Sequence, residues 1–208
     1  MSAGADGGAF PDGFFARADE TDDAQFYSFA RFVTHIDDGA IAAVGALYEE
    51  LGVDGRVLDL MSSWVSHFTT APDALTVLGM NADELAANPQ AREWVVHDLN
   101  ADPALPFATD VFDHATCCVS VDYLTSPVAV FREVARVVRS RGLFVCSFSN
   151  RCFPSKAIRA WLYSDSDAHR RIVSEYFAAT EAFEPAVTRR CATPPDGDPL
   201  YAVWGRVR

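Results

Sequence analysis

The chain is predicted to fold as an α/β domain with a mostly parallel, doubly wound seven-stranded sheet, an antiparallel C-terminal strand and helices on both faces. Three observations predict it. From Gly55 onward, strand signals alternate with helix signals, the pattern of βαβ units. The run Phe112 to Val121 is apolar over much of its length, as a strand buried on both faces requires. Last, Ala186–Cys191 and Leu200–Val207 flank the Pro- and Gly-containing turn Thr193 to Pro199, so the chain should close with an antiparallel pair.

Taken in order, residues 1–20 are expected to be a disordered lead-in, since the first thirteen carry four of the twelve glycines and little to bury. Residues 21–208 should form one domain. Its first part, 21–52, reads as two helices: an aromatic one from Thr21, with Phe26, Phe29, Ala30 and Val33 at helical spacing, and a second from Asp38 to Leu51 that stops at Gly52. Residues 55–150 hold the strands Val57–Leu60, Leu75–Gly79, Glu93–His97, Phe112–Val121 and Leu143–Phe148. A short helix is expected after the first of these, one from Asp83 after the second, and one opened by Pro127 and closed at Arg141-Gly142. Residues 151–208 should supply a helix around Trp161, interrupted at Ser164 to Asp167 and resumed to about Ala179, and then the strand pair.

Composition narrows the function. With 17 basic against 29 acidic residues the net charge is −12 and the pI near 4.7, which disfavours nucleic acid and anionic membranes as partners. The acidic excess is spread along the chain and Lys156 is its only lysine, which suggests adaptation to high salt. Five cysteines without CxxC spacing read as reduced thiols. The start resembles no signal peptide and no run of about 18 apolar residues occurs. A soluble cytoplasmic protein is expected, of undetermined oligomeric state.

The stretch Val57-Leu58-Asp59-Leu60-Met61-Ser62-Ser63 runs from a strand into a turn, where an open α/β sheet binds ligands. Together with Leu78-Gly79-Met80-Asn81, Asp98, Leu105-Pro106-Phe107, Phe112-Asp113 and the helix Phe131 to Val138 before Gly142, it resembles the class I S-adenosylmethionine-dependent methyltransferases, of the methyltransferase type 11-like kind. The likeness covers roughly Gly55 to Asn150, and Asp198 to Val203 is similar to that Rossmann-like fold's last strand. The resemblance implies S-adenosylmethionine as cofactor and methyl transfer to a small molecule. It places Asp59 under the methionine end, Asn81 at the ribose hydroxyls, Asp98 and Leu99 at the adenine, and Ser120 where cofactor and substrate meet. The family's first-loop glycines fall on Met61, Ser63 and Val65.

Each of these residues also has a structural reading. Asp59 suits a helix cap, Asn81 a helix start, and Asp98 a turn before Asn100. The hydroxyls of Ser62, Ser63 and Ser66 suit either the cofactor's carboxylate or ordinary capping. If a base exists, His67 or His35 is the candidate, with Tyr123 and Asn150 orienting the acceptor. Tyr27 and Arg31, on the first helix, and Arg151, after the fifth strand, are candidate substrate contacts. Cys117 and Cys118 point to opposite faces of a strand and cannot share a metal, so no metal site is expected. The rival reading is a methyltransferase-shaped binding or regulatory protein that has lost the cofactor. A nicotinamide reductase is disfavoured, because residues 59–68 contain no glycine for a G-x-G-x-x-G turn.

Overall fold

The computed structural model describes residues 10–208. Its seven strands are β1 Arg56–Leu60, β2 Ala74–Gly79, β3 Glu93–Val96, β4 Phe112–Cys118, β5 Val138–Phe148, β6 Val187–Cys191 and β7 Leu200–Arg206. They are ordered β3-β2-β1-β4-β5-β7-β6, and β7 alone runs antiparallel to both of its neighbours. The helices are α1 Asp23–Phe26, α2 Asp38–Leu51, α3 Ala82–Ala86, α4 Pro127–Val137, α5 Arg159–Leu162 and α6 Ser166–Thr180. The expected sheet, its closing antiparallel pair and the interruption between α5 and α6 are all present.

Local chemistry sets the element ends. Asp37 and Asp165 cap α2 and α6 by accepting from the Ala40 and Ala168 N–H groups, and α2 stops at Gly52, whose φ of 66° costs glycine little. Pro127 starts α4, where its missing N–H leaves no bond unmade. One sheet face is covered by α4 and α6, with Phe131 packed edge-on to Phe144 and Phe177 at 4.8 Å each. The other carries α2, whose Val44, Leu47 and Tyr48 join Val57, Val77 and Trp204. Each fully buried side chain of this size contributes roughly 1.5–3 kcal/mol, so both faces hold the strand ends in fixed register.

Several expectations are corrected. The first helix does not run from Thr21 to Ile36: α1 is one turn, and residues 27–37 cross the sheet's carboxyl edge as an irregular strap. Tertiary bonds override the helical spacing there. The Arg31 N–H donates to Glu84 at 2.6 Å, while Asn81 and Trp64 donate to the Tyr27 and Val33 carbonyls at 2.9 and 3.1 Å. Of the expected lead-in, residues 1–9 lie outside the described residues. Residues 10–20 are packed, with the Phe10 and Phe15 rings on Tyr176 and Arg17 bridged to Ile158, because three phenylalanines supply the burial that the glycines do not. No helix follows β1, since residues 61–73 spend their hydrogen bonds on neighbouring elements. Strand β4 ends at Cys118, where Val119 turns into the left-handed region at φ 47°, ahead of a 3₁₀ turn over Val121–Tyr123. Helix α4 ends at Val137 rather than at Gly142, because Val138 is already extended opposite Phe112.

Candidate functional site

At the carboxyl ends of β1 and β4 lies a cavity of about 370 Å³, roofed by the strap and by the loop 151–153. The expected residues Tyr27, Arg31, His35, Asp59, Met61, Ser62, Ser63, His67, Asp98, Leu99, Ser120, Tyr123 and Arg151 all line it. Asn81 and Asn150 are not among the lining residues. Asn81 caps α3, its Oδ1 accepting from the Asp83 and Glu84 N–H groups at 3.1 Å each while its Nδ2 holds the strap, so both ends of the amide are engaged. Asn150 is exposed and accepts from the neighbouring Ser149 hydroxyl.

Asp59 is buried at the end of β1 and accepts from three hydroxyls: Ser62 at 2.7 Å, Ser66 at 2.6 Å and Thr116 at 2.8 Å. Burial pushes its pKa up and the three donors oppose that shift. Ser63 gives its own proton to Glu84 at 2.5 Å. A hydroxyl has one proton to donate, so all three loop serines spend theirs on the protein's carboxylates. Of the two readings open for the Ser62 and Ser63 hydroxyls, the internal one describes the bonds present: their protons organise the loop.

The strand ends are strained. Met61 has φ 52° and Val119 has φ 47°, conformations that cost a residue with a Cβ about 1–2 kcal/mol and are rare for a β-branched one. Both residues line the cavity on adjacent strands, and the Ser120 hydroxyl ties them by bonding the Cys118 carbonyl at 2.9 Å and the Met61 carbonyl at 3.3 Å. Strain of this kind persists where surrounding structure over-determines it, and it clusters at ligand sites. No sequence pattern marked Val119.

The polar groups facing the cavity differ in character. Asp98 turns Oδ1 onto the Asn100 and Ala101 N–H groups, leaving its second oxygen. His67 is held neutral, its pKa lowered to about 4 by burial and then by nearby His35, and its buried Nδ1 has no hydrogen-bond partner. Burial lowers His35 as well. Tyr123 accepts from the Phe153 N–H at 2.8 Å, which leaves its phenolic proton to donate, and burial holds that proton on. Arg31 donates to the Phe26 and Phe29 carbonyls and stacks over the Phe26 ring at 4.6 Å. Arg151 is exposed and has no hydrogen-bond or ion-pair partner among the described residues.

A buried ionic knot missed by sequence reasoning fastens the strap. Asp23 accepts two bonds from Arg17 at 2.7 and 2.9 Å and one from Asn100 at 2.9 Å, and pairs with Lys156 at 2.9 Å. The signal available was the chain's single lysine. A second feature also went unread: Asp122, buried below the cavity floor, is pushed up to about 8 by desolvation.

The strand order is that of the class I methyltransferase fold, and the cavity lies at its switch point. Residues 50–146 match the model of the methyltransferase domain family. A 62-residue stretch is 44% identical to a demethylmenaquinone methyltransferase of Mycolicibacterium paratuberculosis, covering 29% of this chain and about a quarter, 26%, of that enzyme's length. Two solved structures are similar. One is a chain from the complex of the Haloferax volcanii Trm112 methyltransferase activator with a methyltransferase, 15% identical with a TM-score of 0.58, covering 82% of this chain and 90% of the other. The second is an S-adenosylmethionine-dependent methyltransferase from Mesorhizobium loti, 17% identical with a TM-score of 0.54, covering 79% and 97%. At these identities the two structures speak for the fold. Among the described residues no helix is long and apolar enough to cross a membrane.

Proposed function

We propose that this protein is an S-adenosylmethionine-dependent methyltransferase that acts on a small molecule in the cytoplasm. The observation that supports this most is the cavity itself. Its volume of about 370 Å³ remains although Met61 and Trp64 line it where a glycine loop would leave bare backbone, and it falls in the range usual for small-molecule sites. The residues suit the cofactor at two ends. The second Asp98 oxygen and the Leu99 side chain would take the adenine amino group and ring, and the turn at Met61, with Ser120, would receive the methionine end above Asp59. Asn81 keeps one Nδ2 hydrogen for the ribose, since its Oδ1 caps α3 and its other hydrogen holds the strap. When bound, the cofactor supplies an electrophilic methyl on a sulfonium.

The chain's task is then to hold the acceptor in line with that methyl and to exclude water, which is where most of the rate of such a transfer originates. An O–H or N–H acceptor would lose a proton on methylation. His67 and His35, whose pKa values burial lowers, are the candidates to receive it, and the Tyr123 hydroxyl the candidate to orient the acceptor; all three line the cavity. Tyr27, Arg31 and Arg151 border the acceptor side. A net charge of −12 argues against nucleic acid as the substrate. The five unpaired thiols are consistent with a reducing compartment.

A second reading is favoured by one observation: the loop hydroxyls give their protons to the protein's own carboxylates and the ribose-side amide caps α3, as in a binding protein that has given up the cofactor. Titration calorimetry with S-adenosylmethionine and with its demethylated product separates the two. Micromolar binding of both supports the enzyme; no heat at millimolar cofactor, with the protein folded, leaves the binding protein.

A further inference from the structure

The strap exposes apolar side chains that a strap need not carry. Phe29 is 78% exposed, Phe32 54% and Val33 55%, within five residues of one another. They are not scattered. Val33 also lines the cavity, and its carbonyl accepts from the indole of cavity-lining Trp64, whose ring meets Phe32 edge-on at 6.2 Å. The apolar surface thus continues from the cavity wall through Trp64 and Val33 to Phe32 and Phe29 outside. Arg31 anchors this ridge by bonding the Phe26 and Phe29 carbonyls. A contiguous exposed apolar patch at a cavity mouth is the mark of a ligand groove or an interface.

Another part of the cavity lining carries a different signal. Arg151 borders the same cavity, exposed and with no hydrogen bond or salt bridge among the described residues; the carboxylate its charge reaches, Asp37, is taken up by the Ala40 and Asp198 N–H groups. A guanidinium is built for bidentate contact with a carboxylate. Tyr27, Tyr123 and Phe153 add aromatic side chains to the lining of the same cavity.

From this juxtaposition we infer that the cavity takes an amphiphile: an aromatic acid whose carboxylate pairs with Arg151 and whose apolar tail leaves over Trp64 and Val33 to lie along Phe32 and Phe29. This names the acceptor class of the methyl transfer proposed above and rests on that reading for the reaction. The binding geometry does not need the cofactor. A hydrocarbon tail gains up to about fourfold in affinity for each methylene fully removed from water, and about half of that logarithmic gain where one side of the tail stays wet.

The test is a binding series of 4-alkylbenzoates, from ethyl to octyl, measured by calorimetry on the full chain. The expected result is a dissociation constant that falls about two- to fourfold per added carbon until the tail passes Phe29. Phe29→Ser with Phe32→Ser, both at exposed positions that folding tolerates, should at least halve the logarithm of that gain. Arg151→Gln should weaken every member about tenfold without changing the dependence on tail length. No binding of any benzoate, no dependence on tail length, or a dependence that survives the double serine change overturns the inference. Binding to neutral phosphatidylcholine vesicles that the double change abolishes, without a tail-length effect, assigns the ridge to a bilayer and overturns it too. If tail-dependent binding holds while S-adenosylmethionine gives no heat, the amphiphile site stands and the enzyme reading falls.

Discussion

Replacing Lys156 by methionine should detach the strap. The ammonium is fully buried, 2.9 Å from Asp23 and 3.2 Å from Asp19, and donates to the Thr21 carbonyl at 2.8 Å. Removing one partner of a buried pair costs about 3–5 kcal/mol, mostly because the remaining charge is left uncompensated. Asp23 keeps its two bonds from Arg17 and one from Asn100, so the lower end, about 3 kcal/mol, is expected. With an m-value of about 2 kcal/mol/M in urea, the unfolding midpoint should drop by about 1.5 M at unchanged slope. Asp23→Asn should cost more, because it leaves Arg17 and Lys156 with only the more exposed Glu20 and Asp19 as counter-charges. Urea titration followed by tryptophan fluorescence reads both. A loss below about 1 kcal/mol for Lys156→Met, the size of an exposed pair, would refute the claim that this knot carries the strap.

Other outcomes follow from the same groups. His67 has a folded pKa of about 4, lowered by burial and then His35, against about 6.5 unfolded, so its contribution to stability is complete above pH 6.5 and is lost as the pH falls toward 4. His67→Phe should therefore flatten the wild-type decline by up to about 3 kcal/mol in urea titrations at pH 7 and pH 4. Asp122 has the opposite sign: its folded pKa, raised by desolvation to about 8, lies above the unfolded value of about 3.9, so it costs stability increasingly from pH 4 to pH 8. Asp122→Asn should raise the melting temperature at pH 7.5 and change it little at pH 4. Gly79→Ala would bring a Cβ to 2.2 Å from the Ser62 carbonyl oxygen, a backbone atom that cannot step aside, and should cost about 1–3 kcal/mol or more. The scattered acidic excess predicts a midpoint that rises between 0.1 and 2 M salt; full cooperative stability in dilute buffer would refute the high-salt reading.

What the sequence revealed was place rather than bonding. Strand β1 and its neighbours were legible because parallel strands buried on both faces read as unbroken apolar runs, and α4 because its valine stripe opens with proline. The cavity residues were legible because the carboxyl ends of those strands are where such sheets bind ligands. The strap was not. Phe26, Phe29, Ala30 and Val33 have helical spacing, but the partners that hold the backbone of Tyr27, Arg31 and Val33, namely Asn81, Glu84 and Trp64, lie about 30–55 positions away. No local pattern carries that information. For the same reason Asn81 could be read equally as a ribose contact or a helix cap, and only the positions of Asp83, Glu84 and Tyr27 decide which groups its amide bonds.

The glycine-free loop after β1 shows how a missing motif can be supplied from elsewhere. A glycine turn gives two things, a left-handed bend and clearance for close backbone approach. Here the bend is kept by Met61 at φ 52°, and the strain is opposed by the Ser62 N–H, which donates to the Leu78 carbonyl at 2.8 Å and extends the β1–β2 ladder by one bond. Clearance comes from the surfaces the loop crosses. Gly79 leaves room for the Ser62 carbonyl, and Gly45, in the middle of α2, for Thr69 and the His67 carbonyl. Helix α2 keeps a poor helix former at Gly45 at a cost of about 1 kcal/mol relative to alanine, which is explicable only if the loop must lie against it. The serines then fix the loop by their protons on Asp59 and Glu84. Such a loop is more rigid and less generous with donors than a glycine turn, so a ligand here must bring its own donors, or meet them at Tyr123 and Arg151 on the far side of the cavity.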